Sequence, residues 1–258
     1  MNPDRRRQAA VLGAYLLTVV VNGLAVALPL NGQSTADISA RFPTLVTPAN
    51  YVFGIWSVIY ALLLVFSIYQ ALPGRATDPS LRAVGYLPAV AGILNSIWLV
   101  LWHYNVFALT VPVMVGILAS LIVIHHRLGI GRRAASSWVE AITVRLPWSV
   151  YLGWITIATI ANVATTLVWL AWDGFGIAPE IWAVATLAVG VAIAAAMSVT
   201  RRDLAYAVVI VWAYAGIAVK QADTTIVAGA AVAGAVIVVG LALWTSFGRR
   251  SGAPQVIV

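Results

Sequence analysis

The chain has 258 residues, 62% of them hydrophobic and only 9% charged, with a formal net charge of +7 and no cysteine. Soluble domains carry about 25% charged residues, so this chain cannot wet its own surface, and a soluble globule is excluded. The missing cysteine excludes disulfides, thiol catalysis, iron–sulfur ligation and covalent c-type haem attachment.

Apolar stretches fall at about 8–30, 50–72, 82–102, 106–126, 146–171, 179–199, 203–220 and 224–246. A span needs roughly 20 apolar residues, so the pattern predicts an all-α polytopic membrane protein with about eight transmembrane helices. The first stretch has a basic start and the small-x-small form Ala25-Val26-Ala27 of a cleavage site. Its apolar run exceeds the roughly 7–15 residues of a signal peptide, so it reads as a retained span. Turn residues close several stretches: Pro29 and Asn31-Gly32 the first, Pro73-Gly74 the second, Asp173-Gly174 the fifth. Only His103, Tyr104 and Asn105 separate the third and fourth, which predicts a tight helical hairpin. The last three stretches are rich in Ala, Val and Gly, with Gly229 and Ala233, or Ala230 and Gly234, at four-residue spacing. That spacing lets helix backbones approach closely in lipid, either within the chain or across a homodimer.

Charge sets the expected orientation. With the N-terminus inside, the cytoplasmic segments hold Arg5, Arg6, Arg7, Arg75, Arg82, Arg127, Arg132, Arg133, Arg145, Arg201, Arg202, Arg249 and Arg250. Those are 13 of the 15 basic residues; Arg41 and Lys220 fall outside, and the acidic residues divide four and four. The sides therefore net +9 and −2, which predicts an even number of spans with both termini cytoplasmic. The membrane expected is a bacterial cytoplasmic membrane. Nucleic acid is excluded as a partner, because the basic residues are scattered over five short segments rather than gathered on one surface.

No Asp, Glu, Lys, Arg or His falls in the middle of a predicted span, where ion-coupled transporters keep such a group. His125 and His126 sit at a helix end and His103 in an outer turn, positions that read as solvated, and no metal-ligand set emerges. No nucleophile–base spacing supports catalysis, so the chain is not expected to be an enzyme. Aromatic residues are in excess, with 11 Trp and 9 Tyr. Interfacial anchoring accounts for Trp172, Trp182 and Trp244, which fall at span ends, but less well for Trp56, Trp98, Trp154 and Trp212, which fall inside spans. Asn95 and Asn162 also lie within spans, where each amide needs a partner across helices. Aromatic side chains with a few amides suit a cavity for a flat apolar ligand, with plain helix packing as the competing account.

Three segments resemble the TspO/MBR family, the tryptophan-rich sensory proteins that include the translocator protein. Thr47-Pro48-Ala49-Asn50-Tyr51-Val52-Phe53-Gly54-Ile55-Trp56-Ser57-Val58-Ile59-Tyr60 is similar to the family's Pro-Pro-x-Trp-x-Phe-Gly-Pro-Val-Trp-Thr-x-x-Tyr at the second helix. Leu94-Asn95-Ser96-Ile97-Trp98 is similar to its Leu-Asn-x-x-Trp in the third. Pro147, Tyr151-Leu152-Gly153-Trp154 and Ala158-Thr159-Ile160-Ala161-Asn162 resemble its Pro-Tyr-Leu-x-Trp and Ala-Thr-x-x-Asn in the fifth. This chain has one residue fewer between Phe53-Gly54 and Trp56, and Pro147 stands four residues before Tyr151. The resemblance covers about residues 8–171 and implies a five-helix membrane domain over 1–174. Residues 175–258 then form a three-helix C-terminal extension with a short tail.

The resemblance further implies binding of a flat hydrophobic ligand, porphyrin-like or sterol-like, in a sensing, scavenging or transport role, with a tetrapyrrole as the candidate bound group. The ligand-binding residues it implies are Tyr51, Phe53, Trp56, Tyr60, Asn95, Trp98, Tyr151, Trp154 and Asn162. Two other classes stay open, an accessory subunit of a membrane complex and a small-molecule transporter. The partners expected in every case are membrane lipid and a hydrophobic small molecule.

Overall fold

The structure, a computed structural model, describes residues 2–28 and 30–247. Pro29, Arg249 and Arg250, together with the rest of the C-terminal tail, lie outside the described residues. The described chain is predominantly helical, without a strand. Six of its helices are long and apolar enough to cross a membrane, and two shorter apolar helices of 17 residues, Leu87–His103 and Leu204–Lys220, accompany them. At 1.5 Å per residue, 17 residues reach about 25 Å, the lower end of a spanning length.

Helix starts follow capping chemistry. Helix α1 (Pro3–Ala27) begins with the Asn2 side chain accepting from the backbone N–H of Asp4, and Pro3 at the first helical position. Between the first two long helices the chain forms a short helix, α2 (Thr35–Arg41), closed by a capping box in which Ser34 and Asp37 satisfy each other's backbone. An irregular segment then leads through a 3-10 turn, Asn50–Gly54, into α3 (Ile55–Ala71). Gly85, at φ 59°, divides α4 (Pro79–Val84) from α5 (Leu87–His103), so the predicted third span starts later than its apolar run. The hairpin through Tyr104 and Asn105 leads into α6 (Phe107–Arg127). Helix α7 (Trp138–Glu140) passes through a π turn, Ala141–Arg145, into α8 (Leu146–Trp169). The wide turn lies just before Pro147, whose ring would otherwise press on the carbonyl of Thr143.

Helices α1, α3, α8, α6 and α5 pack in that cyclic order and close a five-helix ring. The remaining helices, α9 (Pro179–Arg201), α10 (Leu204–Lys220) and α11 (Thr225–Phe247), pack on one another and join the ring chiefly through α10 against α8. That seam is close at Gly153, where an added Cβ would meet the Tyr206 carbonyl at 3.1 Å and Val209 at 3.0 Å. Lipid is as apolar as the helices, so close packing of this kind is what holds them together.

At the arginine-rich end a buried hydrogen-bonded pair ties the two parts. His125 Nε2, in the last turn of α6, lies 2.8 Å from Asp203 Oδ2, the N-cap of α10. Both side chains are buried, so His125 is not solvated as its helix-end position suggests. Burial by itself pushes the Asp203 carboxyl up. The hydrogen bond from His125, with those from the Ser149 hydroxyl and the Tyr206 backbone N–H, outweighs it and holds the carboxyl below its ordinary value. His103 is fully buried too. Its Nδ1 lies 2.8 Å from the Leu99 carbonyl and its Nε2 3.5 Å from the Thr35 hydroxyl, which pins α2 to the end of α5.

Candidate functional site

The five-helix ring encloses an aromatic-walled cavity toward the α2 end. Helix α5 contributes Trp98 and Trp102, α3 contributes Trp56, and α8 contributes Trp154 and Asn162. The segment before α3 adds Thr47, Pro48 and Phe53, while Thr35 and Ser39 of α2 close the top. Trp56 is the hub. It stacks on Tyr60 (5.5 Å between centroids, 20° between planes) and on Trp98 (6.5 Å, 28°), and meets Trp154 edge-on at 6.0 Å. The row continues from Trp98 to Trp102, stacked at 5.4 Å, and Phe53 meets Trp154 edge-on at 5.8 Å. Offset and edge-to-face pairs are the arrangements the ring quadrupoles favour, at about 0.5–1.5 kcal/mol each beyond burial.

Amides lock this wall. Trp98 donates its indole N–H to Asn162 Oδ1 at 2.7 Å, and Asn162 donates onward to the Thr110 hydroxyl at 2.9 Å, so α5, α6 and α8 are joined at one point. The indole N–H groups of Trp102 and Trp154 are buried and have no acceptor among the described residues. Beneath the cavity runs a second polar layer. Tyr60 donates to Asn22 Oδ1 (2.7 Å), Asn22 to Asn95 Oδ1 (3.1 Å), and Asn95 to the Tyr151 hydroxyl (3.2 Å). Below that layer lies a smaller cavity among α1, α3, α5 and α8, bordered by Tyr15, Thr18, Phe66, Trp148 and Tyr151.

The residues implied by resemblance therefore divide. Phe53, Trp56, Trp98, Trp154 and Asn162 line the upper cavity. Tyr60 and Asn95 lie in the partition below it, and Tyr151 spans the partition, packing edge-on to Trp56 at 6.0 Å and lining the lower cavity. Tyr51 lines neither cavity; it is half exposed and leans on Trp212 of α10 at 5.3 Å. Sequence reasoning missed Trp102, Asn22 and the α2 hydroxyls. Trp102 was within reach, since it stands one helical turn after Trp98.

Size limits what the cavity does as it stands. Its volume is about 40 Å³. One water needs roughly 10–15 Å³, and an engineered cavity that binds benzene measures about 150 Å³. The upper cavity thus holds a few waters, and the lower, at about 20 Å³, one or two. Its aromatic faces fit a tetrapyrrole chemically, but its volume does not until a wall moves.

These features define an all-helical integral membrane protein with an indole-walled cavity and amides paired across its helices. The chain belongs to the family described as TSPO-like protein, whose model matches residues 8–244. The match runs past residue 171 through most of α11, so the three C-terminal helices lie within the family's own extent. No curated protein and no solved structure matches the chain.

Proposed function

We propose that this protein binds a flat hydrophobic ligand, porphyrin-like or sterol-like, in the upper cavity, in a scavenging, sensing or transport role and without chemical conversion. One observation carries the reading: four indoles, Trp56, Trp98, Trp102 and Trp154, face one space among the five ring helices. Stacked aromatic faces suit a flat ligand, and the unpaired N–H groups of Trp102 and Trp154 suit acceptors on its edge, such as carbonyl or carboxylate oxygens. Residues 1–174 form the binding unit in this reading and 175–258 its support, in a bacterial cytoplasmic membrane; the arginine distribution favours both ends inside. Titrating the purified protein with protoporphyrin should quench Trp fluorescence, and Trp98→Ala should weaken binding about fivefold, the loss of roughly 1 kcal/mol from one stacked ring. Quenching absent in the intact protein, or unchanged by Trp98→Ala, refutes the reading.

Of these roles, transport is favoured by the lower cavity beyond the Tyr60–Asn22–Asn95–Tyr151 layer. Uptake of protoporphyrin into sealed vesicles, compared with binding alone, separates it from the others.

A further inference from the structure

The walls of the upper cavity are helices except on one side. There the chain runs as an irregular segment, about 44–54, through Thr47 and Pro48 to the 3-10 turn Asn50–Gly54. A 3-10 turn has poorer hydrogen-bond geometry than an α-helix and is the part of such a wall most able to shift. The segment has two faces. Thr47, Pro48 and Phe53 face the cavity. Tyr51 and Val52 face α10 in the C-terminal part of the chain.

The α10 face is fastened at several points. The Ala49 backbone N–H donates to the Gly216 carbonyl at 3.1 Å, and the Trp212 indole donates to the Val52 carbonyl at 3.3 Å. The Tyr51 and Trp212 rings meet edge-on at 5.3 Å. Val52 is fully buried and fills the space where any residue other than glycine at 216 would place a Cβ, with Pro48 3.2 Å from the same point. Gly216 lies four residues inside the end of α10, about 6 Å along its axis. Irregular backbone at such depth needs protein partners for its polar groups, because lipid offers none. α10 supplies them.

We infer that segment 44–54 is the movable wall through which a ligand reaches the upper cavity, and that α10 sets how readily it opens, with Trp212 and Gly216 as positioning residues. The inference rests on the upper cavity being the ligand site, but the wall's motion is measurable without any ligand. It gives the three C-terminal helices a role in admission to the site although none of their residues lines it. It also answers the size problem, since a cavity of about 40 Å³ takes a flat ligand only when one wall yields.

The chain has no cysteine, so a single introduced thiol reports cleanly. Thr47→Cys places one on the buried cavity face of the segment, and Ser67→Cys places a buried control on the lower cavity. In full-length protein in lipid nanodiscs, the rate of N-ethylmaleimide labelling is compared with and without Trp212→Leu, which removes the indole donor and the ring contact. The Thr47→Cys rate should rise about tenfold, the effect of losing one hydrogen bond and one ring pair, while the Ser67→Cys rate holds. Tyr51→Leu removes the same ring pair from the other side and should act in the same direction, which keeps the test open if Trp212→Leu fails to fold. An unchanged Thr47→Cys rate overturns the inference, and so does equal acceleration of both thiols, because general loosening of the bundle would do that. Protoporphyrin titration on the same samples separates the two claims. A responsive wall in a protein that never binds porphyrin leaves the inference standing and sinks the ligand reading. Binding whose on-rate ignores Trp212→Leu leaves the ligand reading standing and sinks the inference.

Discussion

Asn162 is the sharpest point at which to test the bundle. Its side chain is 3% exposed, accepts from the Trp98 indole and donates to the Thr110 hydroxyl, so three ring helices meet on one amide. Asn162→Leu keeps the volume and leaves the Trp98 N–H buried without an acceptor. An orphaned buried donor costs about 1–3 kcal/mol in water-soluble proteins. In lipid the unfolded reference also finds partners, and measured interhelical hydrogen bonds average about 0.6 kcal/mol, so the expected loss is about 1–2 kcal/mol. The Thr110 hydroxyl keeps its own acceptor, the Phe107 carbonyl at 2.6 Å, and contributes little to that loss. A double-mutant cycle isolates the pair: Trp98→Phe removes the donor, and the double variant removes both. Reversible unfolding followed by far-UV circular dichroism, which does not depend on the altered Trp, should give a coupling of about 1 kcal/mol between the two positions. A coupling within about 0.3 kcal/mol of zero would refute the claim that this hydrogen bond joins α5 to α8.

The remaining expectations use other parts of the molecule. Asp203 has a folded pKa below its ordinary value of 3.8, so its contribution to stability is complete above about pH 4 and is lost as the pH falls through the folded value. Asp203→Asn, which retains an N-cap acceptor, should flatten the fall in stability below pH 4, as read by thermal unfolding across pH. Gly190 faces the Tyr214 hydroxyl too closely for a methyl group, whereas Gly229 has open space around it. Gly190→Ala should therefore lower the melting temperature, and Gly229→Ala should leave it level or raise it slightly through helix propensity, worth up to about 1 kcal/mol. Reporter fusions at the two ends should both read as cytoplasmic; ends on opposite sides would contradict the arginine distribution.

The helices themselves were legible in the chain because, in lipid, every backbone group must be satisfied within its own segment, so a long apolar run has one outcome. Spacing was informative too: Trp98 and Asn95, and Trp154 and Asn162, kept motif intervals that survive intact within single helices. What failed to show was which face of each helix turns inward. These helices are apolar on nearly every side, so no polar stripe marks the solvent face as it does in a soluble bundle. That is why Tyr60, Asn95 and Tyr151 do not line the upper cavity, and why Asn22, in a run otherwise without signal, closes the polar layer with Asn95. Long-range pairing was equally hidden. His125 and Asp203 stand 78 residues apart, and each alone looks like an ordinary helix-end polar residue. Only the packing of α6 against the turn before α10 removes water from both and makes them partners. The same holds for Gly216, one small residue among many in the last three helices, which matters because the tertiary fold brings Val52 onto it.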